Sequence, residues 1–561
     1  MVEDARSSHR SRPSRWITAI RARFAALIRR IEQLGGWLDN RPTMLMVALA
    51  MAYLILTLPH AYFAPLWHDE LFTYNLAISP SLSQMLHNLL TQDLNPPVLY
   101  LLDYIAVRLP GANASDQFTS LAARLPSLAG GLIASLGLFA MVRKRLGPLY
   151  AFACVGFLWN TLFLSYTWED RPYALVTGLL TLLVMAWSRA TRPRRSFFWV
   201  GLTLAIAIIM VGSHFMGSFL LLAFLGAELV RAWQVRRLDI PLAICFIVPV
   251  VIPVAYNRTV HGYGATVFPA AFQASISTFA LDYLALLSSC LYILLAFIVL
   301  RMIAAMFPQA QRQGAADMMV AESHGSGVTL PEWTLIIGIL MEPVIAILLI
   351  MRLHGAFFWR YGLPGCVPIA ILSAAFIGWQ FRFTKRIALF AILASGIGPL
   401  YALGNLSATK DVPYPEVTRG ESATNDYHAI EPELPLVTAS ALTYVEMNHR
   451  ESPEFLHRVY YLTDTQAAIQ YAHATLFEGE AETNRTFHFE GRVESLQNFE
   501  AAHARFLVLG TYSYPEDWLL RKLHADGDTL RYLGRFSSGY KDHELYEVTL
   551  KITADHDSPR P

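Results

Sequence analysis

Cysteine is almost missing from this chain. Only Cys154, Cys245, Cys290 and Cys366 occur, each inside an apolar stretch and without paired spacing, so the sequence predicts neither a disulfide framework nor a thiolate zinc site. Charge is scarce too: 16% of residues are charged and the net charge is +1. The basic residues sit in short clusters between apolar runs, a pattern that sets membrane topology and implies no nucleic-acid partner. No internal repeat is evident. No cleavable leader is visible either, because the chain opens on a polar Ser/Arg stretch and its first apolar run is long enough to remain as an anchor.

What the chain has in excess is hydrophobicity. With 54% hydrophobic residues and a mean hydropathy of +0.37 over 561 residues, it lies outside the soluble globular range and reads as a polytopic α-helical membrane protein. Residues 1–42 form an N-terminal segment expected in the cytoplasm. Its first 13 or so residues read as disordered. Ile17, Ile20, Phe24, Leu27, Ile31 and Leu34 then recur at steps of three and four, with Arg21, Arg23, Arg29 and Arg30 between them, as in a basic amphipathic helix on an anionic surface.

A first span at 44–62 delivers Trp67-His68-Asp69-Glu70-Leu71 to the outer face. Leu82, Met85, Leu86, Leu89 and Leu90 then give an amphipathic helix too polar on its other side to cross. The apolar run after Asn95-Pro96-Pro97 covers about 20 Å as a helix, short of the roughly 30 Å of hydrocarbon, so it reads as a second interfacial helix within an outer loop at 63–118. Ten more spans are expected at 119–142, 149–167, 171–188, 197–214, 217–231, 240–256, 283–303, 333–352, 361–380 and 387–404, about eleven in all. In this threading the basic clusters at 143–145, 189–195, 231–237, 301–312 and 382–386 all fall inside. The inside loop at 308–331, rich in Gly, Ala, Ser and Gln, is expected to be mobile.

The helical membrane region is thus 43–405. An odd number of spans places residues 410–561 outside, where strands at 436–439, 459–462, 506–509 and 545–550 and helices at 464–477 and 515–524 predict an α/β domain with a partly parallel sheet.

Ionisable residues at a membrane edge are costly to bury, so each is a functional candidate. Asp69 and Glu70 come first: one carboxylate can take a proton from a hydroxyl while the other orients it, or the two can hold a divalent cation. Arg124 lies near the outer end of the second span. Glu169, Asp170, Arg171 and Tyr173 crowd an outer turn, and His214 sits in another. Arg360 and Tyr361 open the tenth span, where a guanidinium fork suits a lipid phosphate.

Asp69-Glu70 after the first span, Asn95-Pro96-Pro97 with Tyr100, Ala123-Arg124-Leu125-Pro126-Ser127, Glu169-Asp170-Arg171-Pro172-Tyr173-Ala174-Leu175, and Arg360-Tyr361 with Pro364 and Pro368 together resemble the GT-C membrane glycosyltransferases. The resemblance is to the family-39/family-83-like branch, related to protein O-mannosyltransferases and the aminoarabinose transferase that acts on lipid A, and it covers roughly residues 40–405. It implies sugar transfer from a polyprenyl-phosphate-linked donor to a hydroxyl of a lipid, glycan or protein at the outer face of a bacterial inner membrane, with Asp69 in the catalytic acid position. Glu70 would assist. Arg124, Glu169, Arg171, Tyr173, Arg360, Tyr361, Asn95 and His214 would bind donor phosphate or substrate. The Trp-Trp-Asp signature of oligosaccharyltransferases is lacking, which argues against N-glycosylation. Two other readings remain: a polyprenyl-lipid transporter or flippase, which internal repeats and midplane polar groups would favour, and a non-catalytic assembly protein on the same scaffold.

Overall fold

The computed structural model describes residues 15–551 except 94, 112–114, 195, 260–274, 306–327, 353–356, 405–415, 418–426, 474–478, 513, 515–516 and 538–541. The N-terminal stretch expected to be disordered and most of the loop expected to be mobile lie outside these residues, as do the ends of the helices expected at 464–477 and 515–524.

Seven helices among the described residues are long and apolar enough to cross a membrane: Pro42–Phe63, Leu125–Leu146, Pro172–Ala190, Gly217–Val235, Leu330–Arg352, Trp359–Gln380 and Lys385–Gly404. Four shorter apolar helices, Pro148–Trp159, Phe197–Ser213, Ile240–Ala255 and Cys290–Met302, fall on the four remaining expected spans. The span expected at 149–167 is α-helical only over Pro148–Trp159, and two other expected spans are broken within. The one expected from 119 is divided at Arg124 into Asp116–Ala123 and Leu125–Leu146, with Pro126 in the first turn of the second helix, where its missing N–H costs no hydrogen bond. The one expected at 240–256 is interrupted by a tight turn at Val248–Val250 containing Pro249.

We number the helices that build the site α1 (Arg15–Asp39), α2 (Pro42–Phe63), α3 (His68–Ala77), α4 (Leu82–Gln92), α5 (Val98–Ala106), α6 (Asp116–Ala123), α7 (Leu125–Leu146), α8 (Pro148–Trp159) and α9 (Pro172–Ala190). Helices α4 and α5 are the two expected in the outer loop; α3 and α6 flank them. Helices α7 and α9 cross closely because Gly178 meets the backbone of Gly130, where any side chain would collide. Ser127 seals the crossing by donating to the Arg171 carbonyl at 2.6 Å. This brings the Arg124 end of α7 beside the Arg171 end of α9.

The helices bury two separate apolar cores. One gathers α2, α7 and α8 with Leu287, Leu363, Ile377 and Ala388. The other gathers α9 with the helices Phe197–Ser213, Gly217–Val235 and Ile240–Ile247, and with Leu335 and Ile339.

The C-terminal region holds a seven-stranded mixed sheet in the order β1-β6-β7-β5-β2-β3-β4, from β1 (Glu416–Val417), β2 (Leu436–Thr438), β3 (Val459–Thr463), β4 (Arg492–Ser495), β5 (Arg505–Gly510), β6 (Thr529–Ser537) and β7 (Asp542–Thr549). Strands β5, β2, β3 and β4 run parallel, and β1, β6, β7 and β5 pair antiparallel. The four expected strands are β2, β3, β5 and β7. The helix Ala441–Arg450 after β2 packs on α3: Val445 joins Leu71 and Tyr74 in one cluster, and Arg450 donates to the Leu66 carbonyl at 3.0 Å.

Candidate active site

Helix α3 starts on the acidic pair. Glu70 accepts the Trp67 backbone N–H at 3.3 Å, and two carboxylates in the first turn suit the positive end of the helix. Successive helical residues point about 100° apart, so the two acids reach different partners.

Glu70 turns inward and is fully buried. Arg124 donates to it from Nε and Nη2, both at 2.7 Å, and the Asp170 N–H donates at 2.7 Å. The other Arg124 hydrogens go to the carbonyls of Ala61 (2.7 Å), Ala64 (2.8 Å) and Pro65 (3.1 Å), at and just beyond the end of α2. All five guanidinium N–H groups are engaged.

Asp69 turns the other way, with its side chain 20% exposed. Arg360 Nη2 lies 2.9 Å from Oδ2 and Arg171 Nη2 3.8 Å from it, while Arg171 also donates to the Asp69 carbonyl at 3.1 Å. His68 Nε2 stands 3.8 Å from Oδ1. Burial pushes the Asp69 pKa up, but Arg360, Arg171 and His68 together outweigh it and hold the carboxyl well below its usual range. Among the described residues, the buried Nε atoms of Arg171 and Arg360 and Oε2 of Glu169 have no hydrogen-bond partner. Donors and an acceptor are thus left over around Asp69, whereas Glu70 and Arg124 have none to spare.

Aromatic rings close the cluster. Arg360 lies over Phe358 at 4.5 Å, Trp67 at 5.8 Å and Tyr173 at 5.9 Å. Tyr173, Tyr361 and His214 contact one another at 5.4 to 6.2 Å between ring centres. His214 Nδ1 accepts the Met216 N–H at 3.2 Å, which leaves the proton of the neutral ring on Nε2. Burial, then Arg171 and Arg360, push its pKa down to about 3. Burial and the nearby Glu70 push Glu169 the other way, up to about 8.

The structure therefore brings together Asp69, Glu169, Arg171, Tyr173, His214, Arg360 and Tyr361. It places three of the expected residues differently. Arg124 has no N–H left for a phosphate. Glu70 is a buried partner of Arg124, its two carboxylate oxygens already taking four N–H donors. Asn95 is tied to Asp93, its backbone and side chain donating to Asp93 Oδ1 at 3.0 Å, and Asp93 also accepts from the Tyr100 hydroxyl beside Arg171. Asp69 and Glu70, expected to be able to hold a divalent cation together, each face their own arginine in this structure.

One residue absent from the sequence-based candidates emerges, Asp103, beside Asp170 of the turn that holds Glu169 and Arg171. Asp103 and Asp170 are fully buried; burial and the neighbouring Asp170 raise the Asp103 pKa well above normal, while burial and Glu70 raise that of Asp170 against the lowering effect of its hydrogen bond with Asp103, so the pair favours a proton held between them. Asp103 is an acid in an otherwise apolar run, which was signal enough to find it.

Neither a scan against protein-family models nor a search of curated proteins finds a match. Comparison with solved structures does, and it defines the class: the chain has the GT-C fold of membrane glycosyltransferases, with an α/β domain appended. The crystal structure of ArnT from Cupriavidus metallidurans bound to undecaprenyl phosphate aligns over 94% of this chain and 99% of that one, with a TM-score of 0.51 and 12% identity. Its apo state aligns over 91% and 98%, again at 0.51 and 12%. The oligosaccharyltransferase of Archaeoglobus fulgidus is more distant, covering 65% of this chain and 56% of that one at a TM-score of 0.39 and 13% identity. At these identities the likeness establishes the fold.

Proposed function

We propose that this chain is an inverting membrane glycosyltransferase that moves a sugar from a polyprenyl-phosphate-linked donor to a hydroxyl acceptor. The observation that carries this reading is the convergence of Arg171 and Arg360 on Asp69, with donor atoms left over, inside an aromatic enclosure. Two guanidinium groups suit a phosphodiester, and one carboxylate beside them suits a hydroxyl. The GT-C fold supports the reading, as does the undecaprenyl phosphate bound by ArnT.

In the free enzyme the arginines neutralise Asp69, which is then a poor base. An incoming donor phosphate competes for the same guanidinium groups. As they turn to it, Asp69 loses the charges that depress its pKa and gains basicity where the acceptor must bind. Asp69 then takes the acceptor O–H proton, the oxygen bonds to the anomeric carbon, and the bond from that carbon to phosphate breaks with its electron pair on the phosphate. Arg171 and Arg360, already fixed in a partly buried site, stabilise that charge. Tyr173, Tyr361 and the Nε2–H of His214 line the space beside it.

Asp69→Asn keeps the shape and removes the base. Transfer from a defined polyprenyl-phosphate sugar should fall by at least about 100-fold with expression and donor binding intact. Activity within a few-fold of the parent overturns Asp69 as base and moves the role to Glu169.

The same reading sets the site at the outer face of the bacterial inner membrane, with the N-terminus in the cytoplasm and the C-terminal domain periplasmic. The positive-inside distribution supports it. A membrane-impermeant thiol reagent applied to spheroplasts should label Glu482→Cys and leave Lys144→Cys unlabelled; the reverse pattern overturns the orientation.

A further inference from the structure

A cavity of about 1,320 Å³ opens at the end of the helical region opposite Asp69. It lies between the two apolar cores: Leu180, Leu335 and Ile339 line it from one, Val142 and Val367 from the other.

The cavity has the dimensions and polarity of a lipid site. Along the helix Cys366–Gln380 its lining runs from Val367 to Trp379, twelve helical steps or about 18 Å, a little over half of the roughly 30 Å hydrocarbon thickness. The deep wall is apolar. The mouth is basic: eight Arg and Lys residues line it, among them Arg29, Lys144, Arg189, Arg192 and Arg386, against two acids. Both acids are engaged, Glu332 with Arg145 at 2.7 Å and Glu32 with the backbone N–H groups of Lys385 and Arg386 at 3.1 Å each. Apolar depth of one leaflet beneath a cationic mouth matches one phosphate headgroup above acyl chains.

We infer that this cavity holds an anionic glycerophospholipid of the leaflet opposite the Asp69 site, wedged between the two helical halves. Its phosphate sits among the basic residues at the mouth and its chains fill the cleft between Leu180, Leu335 and Val367. The inference stands independently of the reaction proposed for Asp69.

The test is lipid titration of the delipidated full-length protein in detergent, read by native mass spectrometry. The probes are dioleoyl phosphatidylglycerol, dioleoyl phosphatidylcholine, undecaprenyl phosphate and inorganic phosphate. Phosphatidylglycerol should fill one saturable site about tenfold or more tighter than phosphatidylcholine, and inorganic phosphate should not displace it. Ala375→Trp, which fills the cleft, should weaken that site at least about tenfold. So should Arg189→Gln with Arg192→Gln, which changes exposed side chains only and so keeps the test open if the tryptophan variant misfolds. Equal binding of the two phospholipids, or binding that neither variant weakens, overturns the site. Displacement by inorganic phosphate would show a free-anion site, and preference for undecaprenyl phosphate a donor reservoir; either overturns the assignment.

Discussion

Asp69 and Glu70 are chain neighbours of the same chemistry in the same helical turn, each facing arginine. Glu70 is fully buried and meets Arg124 in a network where every guanidinium hydrogen is engaged. Asp69 is partly exposed and meets two arginines, each with an unpartnered buried Nε among the described residues. Saturation separates scaffold from site: a filled network has nothing to offer a ligand, whereas spare donors in a half-closed pocket can be completed by one.

That contrast is broken or sharpened by truncating one arginine from each pair. Arg124→Ala leaves Glu70 buried without its partner and removes donors from three carbonyls, so stability should fall by roughly 3–5 kcal/mol, seen as lost yield and a lower Tm. Arg360→Ala should leave Tm near the parent and weaken donor affinity about 10- to 100-fold, with Arg360→Lys intermediate because an ammonium keeps the charge and loses the fork. A silent Arg360→Lys would mean that the side chain merely reaches for headgroups. A well-folded Arg124→Ala with poor donor binding would reverse the comparison.

A smaller effect follows from Glu169, whose pKa burial and Glu70 push up to about 8. Below that pH it is neutral, and above it a further negative charge stands beside Arg360. Donor affinity should therefore drop about 3- to 10-fold between pH 7 and pH 9, and Glu169→Gln should flatten the drop. The stability sign is consistent. A carboxyl whose folded pKa lies above its unfolded value of about 4.3 favours the protonated fold, so its contribution is full at low pH and is lost as pH rises toward 8. A parent affinity that stays level to pH 9 would remove Glu169 from the donor site.

Much of this was legible in the chain. Span positions follow from run length, and the positions of Asp69, Arg171 and Arg360 follow from the cost of charge near lipid. The exceptions share a cause. Arg124 and Arg360 look alike in sequence, each at the end of an expected span and followed closely by proline, at Pro126 and Pro364. Only the packing of α7 against α2 turns Arg124 onto the end of α2. The break at Arg124 and the helix at His68 depend on that contact as well, and no periodicity encodes a pairing 54 residues apart. The sheet order is equally long-range: β5 lies between β2 and β7, so the strands that meet are not consecutive in the chain.

The smallest predicted effect lies where the C-terminal domain reaches Asp69. Glu446 Oε1 stands 3.3 Å from His68 Nδ1, and His68 Nε2 stands 3.8 Å from Asp69. A carboxylate on Nδ1 fixes the ring and its tautomer, as an orienting partner does for an imidazole in other sites. Helix α3 is also held by Val445 and Arg450, so loss of Glu446 should free the histidine ring without freeing the helix. Glu446→Ala should then lower transfer about two- to fivefold at unchanged Tm, the worth of one partly exposed hydrogen bond, while Glu446→Gln keeps an acceptor oxygen and stays close to the parent. Equal losses in both variants would point to charge at Glu446 rather than ring orientation. No loss in either would make the C-terminal domain a neighbour of the site rather than a part of it.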